Sequence, residues 1–237
     1  MSKIYLDAGH GGTDPGAVKY VVEKDVAIKV VKHCYNHLRD YYNCGVIADT
    51  SADSTKTIAQ KANKYGADLF VSVHFNAGGG DGFEALVYNK ANKKLGSCFE
   101  KRVLETGQNS RGVKYRPDLN VLKYTKMPAV LCEIAFVDNK KDIKDWDEDR
   151  ELKVMGQALA KAAADWLKLE SKDMGKYKTL TDLNLRKKAS LDSTALAVVP
   201  EGTVLSGTPE GSWLKTKYNG KEGYVRIEGQ KVYCKKV

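Results

Sequence analysis

The sequence predicts an α/β domain followed by a small all-β barrel, and three observations carry that reading. Up to about Ser171, short β-branched runs alternate with longer stretches of helical period. The segment Glu170 to Lys178 is polar, contains Gly175 and lacks periodicity, as a linker does. Beyond it, short apolar runs are separated by Gly, Pro, Asn and Asp, the texture of a small barrel. The expected division is residues 1–170, a linker at 171–178 and a second domain at 179–237.

KIYLD (Lys3 to Asp7) reads as the first strand. A helix is expected from about Lys24 to Tyr42, because Ile28, Val31, Tyr35, Leu38 and Tyr42 recur at steps of three and four and form one apolar face. GVIADT (Gly45 to Thr50) is a second strand, followed by a helix near Thr57 to Tyr65. DLFVSVHFN (Asp68 to Asn76) is an apolar run suited to a buried central strand, and GGGDG (Gly78 to Gly82) then turns the chain. GFEALVY (Gly82 to Tyr88), NVLKYT (Asn120 to Thr125) and PAVLCEIAF (Pro128 to Phe136) are further expected strands, with a helical stretch near Asn92 to Thr106 between the first two. Leu152, Met155, Leu159, Ala162, Trp166 and Leu169 form the stripe of a final helix. In the second domain ALAVV, TVLSG, WLKTKY, GYVRI and KVYCKKV are the expected strands.

With 237 residues, 42% of them hydrophobic and 29% charged, the chain has material for one full core and a smaller one. No apolar run approaches the roughly 18 residues of a membrane span. The N-terminus enters a strand pattern with no basic or apolar leader, so synthesis without a signal peptide is expected. The five cysteines are scattered, form no CxxC pair and read as reduced thiols. Residues 171–237 carry 13 basic and 7 acidic side chains, so the smaller segment holds +6 of the net +9. A basic surface implies a polyanionic partner such as nucleic acid, lipid or an anionic cell wall. No nucleic-acid recognition motif accompanies it.

In an open α/β sheet, ligands bind beyond the carboxyl ends of the strands. Three runs end in residues competent for metal or proton chemistry: DAGHGG with His10, SVHFNA with His74, and PAVLCEIAF with Glu133. Glu23 opens the first helix. Neither histidine is diagnostic alone, since a strand-end histidine is more often structural. Two neutral imidazoles and one carboxylate around Zn²⁺, however, leave a fourth position for water and lower its pKa to about 7. A second carboxylate outside the coordination shell, here Glu133, can take the proton and return it to the leaving nitrogen. His33 and His37 have the i, i+4 spacing of zinc ligands, but they lie opposite the apolar stripe and read as a solvated helix face. Cys132 alternates with Glu133 and is expected in the core. GGGDG lacks a following Lys-Ser/Thr and is not a P-loop.

These residues resemble the zinc-dependent N-acetylmuramoyl-L-alanine amidases of bacterial autolysins and phage endolysins. DAGHGGTDPGA (Asp7 to Ala17) resembles the opening strand and loop, with His10 at the first ligand position. EKDVAIKV resembles the helix that supplies the glutamate ligand, here Glu23, and ADLFVSVHFNAG the segment that supplies the second histidine, His74. RGVKYRPDLNVLKYTKMPAVLCEIAFVDN (Arg111 to Asn139) resembles the last motif, whose catalytic glutamate falls on Glu133. The resemblance implies a twisted, mostly parallel sheet flanked by helices, one Zn²⁺, and hydrolysis of the amide between N-acetylmuramic acid and L-alanine. There are departures: Gln60 stands where the family often has arginine, and Ala135 where glycine is common. The loop between His74 and Glu84 is too short for the blocking helix of some regulated members, implying an open cleft.

LNLRKKAS, GTVLSG and GSWLKTKYNGKEGYV resemble bacterial SH3-like wall-binding domains, with Trp213, Tyr218 and Tyr224 as a possible ligand shelf or as core. Peptidoglycan and anionic wall polymers are the partners implied, with no membrane and no nucleic acid. An endolysin is the leading reading. A bacterial autolysin, a zinc carboxypeptidase or endopeptidase of the stem peptide, and a wall-binding protein without activity are the alternatives.

Overall fold

The computed structural model describes residues 1–143, 149–172, 175–229 and 231–237. The chain divides into two compact units, Met1–Glu170 and Ser171–Val237.

The first unit contains strands β1 (Lys3–Ala8), β2 (Gly45–Asp49), β3 (Leu69–Asn76), β4 (Phe83–Val87), β5 (Ser110–Tyr115) and β6 (Ala129–Phe136). They form one sheet in the order β2-β1-β3-β6-β4-β5, in which only the β6–β4 pair is antiparallel. Helices α1 (Glu23–Tyr41), α2 (Thr55–Tyr65), α3 (Lys93–Leu104), α4 (Asn120–Lys123) and α5 (Asp149–Leu167) complete the unit. This is the mostly parallel α/β architecture expected.

Alternation along the strands separates the two faces of the sheet. Ile4, Leu6, Ala8, Val71, Val73, Phe75, Val130 and Cys132 point to one face and pack with α1, α3 and α5 in the main core. Tyr5, Phe70, Leu86, Ala129 and Leu131 point to the other, where Ile58 and Ala62 of α2 and Val121 and Leu122 of α4 cover them. That cover is short. Further along the same face the residues turn polar, with Asp7, Ser72, His74, Glu133 and Glu84, and a cleft opens where Asp7, His10 and His74 line the surface.

NVLKYT is a helical turn, not a strand. Val121 and Leu122 are consecutive and both buried in one cluster, which a helical turn allows and a pleated strand would prevent. β5 lay outside the expected strands because Gly112 breaks its alternation. His33 and His37 are not a solvated face: α5 packs along α1, His33 Nε2 lies 2.9 Å from Asp149 Oδ1, and His37 is half-buried against Tyr41 at 4.5 Å between ring centroids. Burial, with Lys161 and Lys153 nearby, pushes the His37 pKa down to about 4.

The second unit is a seven-stranded antiparallel sheet, in the order β13-β7-β10-β11-β12-β8-β9. Its strands are β7 (Gly175–Thr179), β8 (Leu183–Arg186), β9 (Ala195–Val199), β10 (Val204–Glu210), β11 (Trp213–Tyr218), β12 (Lys221–Arg226) and β13 (Cys234–Lys236). Leu183, Leu185, Val199, Leu205, Leu214, Val225, Ile227 and Cys234 fill its core. The expected linker at 171–178 needs correcting. Gly175 to Lys178 already belong to β7, with Lys176 and Lys178 exposed between buried Gly175 and Thr179, while Asp173 and Met174 lie outside the described residues. Of the three aromatic residues singled out, Tyr218 packs on the core. Trp213 and Tyr224 stay outside it, and the Arg226 guanidinium lies 5.9 Å from the Trp213 ring.

Candidate metal centre and catalytic cleft

Three segments deliver the ligand candidates to one point. β1 runs into Gly9 and His10, whose backbone adopts a left-handed φ of 64°. Strain of that kind in a non-glycine residue concentrates at functional sites. β3 carries His74 near its end, and Glu23 is the first residue of α1. The approach is tight enough to demand glycine around it. A Cβ at Gly9 would lie 2.4 Å from the His74 ring, and one at Gly16 would lie 2.5 Å from Glu23 Oε2.

One ligand atom each from His10, Glu23 and His74 lies within 4.8 Å of the other two. Glu23 Oε2 is 3.1 Å from His10 Nε2, and Oε1 is 3.0 Å from His74 Nδ1. The same carboxylate accepts the N–H groups of Ala17 and Phe75 at 2.8 and 3.1 Å, which fixes its plane. On its other side, His10 Nδ1 lies 2.8 Å from Asp14 Oδ2. A neutral ring that donates there turns the Nε2 lone pair toward the Glu23 oxygen, a repulsive contact unless the ring is protonated or a cation lies between them. An orienting carboxylate behind a ligating imidazole is the usual support of a metal site. The donor set therefore fits a small divalent ion.

The electrostatics agree. Burial opposes ionisation of Glu23, but the bonds from His74, Ala17 and Phe75 outweigh it and hold the pKa below the usual carboxylate range. Burial also opposes charge on His74, yet the Glu23 bond and the charges of Glu133 and Asp7 raise its pKa.

Glu133 is in register with His74 on one side and with Glu84 on the other, so three ionisable residues stand in a row across β3, β6 and β4. Its Oε2 is shielded from solvent and has no hydrogen-bond partner among the described residues. Burial pushes its pKa up to about 7, with Glu23 and Glu84 adding to the rise and His74 opposing it. A buried oxygen without a partner, on a carboxyl poised near neutrality, suits proton exchange with a bound molecule better than a structural role.

A family model for N-acetylmuramoyl-L-alanine amidases matches residues 4–165. The chain belongs to that family. A bacterial SH3 domain model matches residues 181–229. The endolysin of Bacillus phage SPP1 is 34% identical, over 98% of this chain and 88% of that protein. The N-acetylmuramoyl-L-alanine amidase CwlM of Bacillus licheniformis is 31% identical, over 85% of this chain and 83% of its own length. Among solved structures, the catalytic domain of the amidase CwlV from Bacillus (Paenibacillus) polymyxa var. colistinus superposes with a TM-score of 0.67 at 26% identity. That likeness covers 72% of this chain and 100% of that one. The chain is a peptidoglycan amidase with an SH3-like domain after its catalytic one.

Within the amidase domain, the structure brings His10, Glu23 and His74 together and places Glu133 beside His74 on the neighbouring strand. Cys132 is fully buried on the opposite face, as its position in the strand requires. Gln60 is exposed. Its neighbour Lys61 reaches Asp49 at 3.2 Å and pairs with Asp53, so one lysine stands against two carboxylates beside the position where the family often has arginine. Residues 77–82 join β3 to β4 without a helix, leaving the cleft open on that side. Sequence reasoning missed Asp14, four residues past His10 in a stretch read for its glycines. It also missed Glu84, a buried acid in a run read only as a strand. For Asp14 the signal was a carboxylate four residues from a histidine already singled out, whereas Glu84 comes into register with Glu133 only in the folded sheet.

Proposed function

We propose that the chain hydrolyses the amide between the lactyl group of N-acetylmuramic acid and L-alanine, using one zinc ion held by His10, Glu23 and His74. Zinc bound by two imidazoles and a carboxylate supplies Lewis acidity and an open position at which the pKa of water falls to about 7. The chain's own residues do the rest. Asp14 orients His10, and the Ala17 and Phe75 amides orient Glu23. Glu133 accepts the proton of the attacking water at its carboxylate and returns it to the alanine nitrogen as the C–N bond breaks. The observation that carries this reading is Glu133, in register with His74 and with an oxygen that has no hydrogen-bond partner among the described residues, beside three converging donors.

The second domain holds the enzyme on the wall, and its excess of basic side chains suits anionic wall polymers. Similarity along nearly the whole chain to a phage endolysin favours that biological setting over an autolysin. Amine labelling of digested walls tests the bond assignment. New N-terminal alanine is expected, without new reducing sugar or free D-alanine. Free D-alanine, or a new amine on glycine or diaminopimelate, would indicate a peptidase instead.

A further inference from the structure

Past Glu133 the same face of the sheet carries Glu84, which is 5% exposed and lies on β4. Two cations hold it there. Arg111 Nε donates to Glu84 Oε1 at 2.6 Å, and Lys114 Nζ donates to the same oxygen at 2.5 Å. Arg111 and Lys114 are three apart on β5, and in a regular strand they would face opposite ways. A bulge makes them share a face: Phe83 pairs with Ser110 but Ala85 with Val113, and Gly112 within it has φ +89°. Bulges of this kind re-aim side chains beside active sites.

Two cations on one carboxylate leave a net positive charge, and both side chains are about two-fifths exposed. The Arg111 guanidinium stacks 5.2 Å from the Phe136 ring, which fixes its plane. Its Nη groups make no hydrogen bond among the described residues. The opposite arm of the cleft, past His10, is lined by Asp7, Asp14, Asp53 and Thr55. The nearby Lys61 is already engaged by Asp49 and Asp53. The β4–β5 end of this face thus carries two partly exposed cations on a single carboxylate, whereas the carboxylates Asp14 and Asp53 near His10 are already paired with His10 and Lys61.

Peptidoglycan offers such a patch a carboxylate. Its glycan is uncharged, whereas the second residue of the stem peptide is glutamate joined through its side chain, with an α-carboxylate that is free or amidated. Neighbouring strands are about 4.8 Å apart, so β5 lies about 10 Å from the strand of Glu133. An extended chain advances about 3.3–3.6 Å per residue, which puts a carboxylate on the second residue about 7–9 Å from the cut carbonyl.

Building on the amidase reading above, we propose that Arg111 and Lys114, presented by Glu84 and the Gly112 bulge, bind the free α-carboxylate of the second stem residue. The peptide then lies over β4–β5 and the glycan over the β1 side. Arg111 and Lys114 are specificity residues and Glu84 is a positioning residue.

The test is steady-state hydrolysis of two soluble muropeptides that differ only at this group, with D-glutamate or D-isoglutamine as second residue. The wild-type enzyme is expected to show about a ten-fold lower KM for the carboxylate form, the low end for a charge-assisted bond. Arg111→Ala and Lys114→Ala should each raise KM for the carboxylate substrate several-fold more than KM for the amide substrate, so that the ratio of the two moves toward one. Lys114→Arg should retain the preference. Equal wild-type KM values, or equal effects of the alanine variants on both substrates, would overturn the proposal. If the wild-type enzyme cuts neither substrate, the amidase reading falls and takes this one with it.

Discussion

Replacing Glu133 by glutamine separates its two roles, proton carrier and unpaired buried acid. The structure sets the magnitude of the second. A carboxyl whose pKa rises from 4.5 to about 7 on folding loses, once ionised, at most about 3 kcal/mol of stability, since one pKa unit is about 1.4 kcal/mol. The folded-state value is raised, so the stability contribution is complete below about pH 4.5 and is lost as the pH rises through about 7. In metal-free protein, Glu133→Gln should therefore match wild type near pH 4.5 and melt higher above pH 7. The gain should be several degrees, at about 2–4 °C per kcal/mol for a protein of this size. Activity should move the other way, falling about 10²- to 10⁴-fold with zinc content unchanged, because an amide cannot accept the proton. Differential scanning fluorimetry across pH, metal analysis and muropeptide hydrolysis read the three quantities. Near-wild-type turnover with full zinc, or a lower melting temperature at pH 8, would refute the reasoning.

Further outcomes follow from other parts of the molecule. Gly9→Ala should weaken zinc binding in a chelator competition while the fold persists, because the new methyl meets the His74 ring at 2.4 Å; unchanged affinity would show that the ring has room. His37, half-buried and held neutral down to about pH 4, contributes stability that is present above its unfolded pKa of about 6.5 and is lost as the pH falls toward 4. His37→Gln should flatten the melting temperature between pH 7 and 4, and an unaltered pH profile would assign the acid sensitivity elsewhere. Residues 1–170 should fold and cut soluble muropeptides alone, since they hold their own cores, but digest intact walls more slowly; equal rates on walls would make the second domain a spacer.

What the sequence made legible follows from how far each signal reaches along the chain. The strands and long helices announce themselves through local period, and β1, β3 and β6 end within a residue or so of the expected limits. His10, Glu23, His74 and Glu133 became candidates because strand ends and a helix start converge on one crevice, and the resemblance to the amidase motifs gave each its role. The misses are places where local period fails. Val121 and Leu122 sit in a one-turn helix too short to repeat, and Gly112 interrupts β5 at the bulge that aims Arg111 and Lys114. The alternation of Gly175, Tyr177 and Thr179 against two lysines was visible, but was masked by polarity and an opening glycine. His33 and His37 could not be placed from α1 alone, because α5 covers them from more than a hundred residues away. Glu84 acquires meaning only when β4, β5 and β6 are side by side.

The central claim is that one metal binds where His10, Glu23 and His74 converge, in front of Glu133. Anomalous diffraction at the zinc edge, from crystals of the full chain grown with zinc, tests it most directly. One strong peak is predicted about 2.0–2.2 Å from His10 Nε2, His74 Nδ1 and a Glu23 oxygen. A peak on other residues, or none at stoichiometric zinc, would contradict the account.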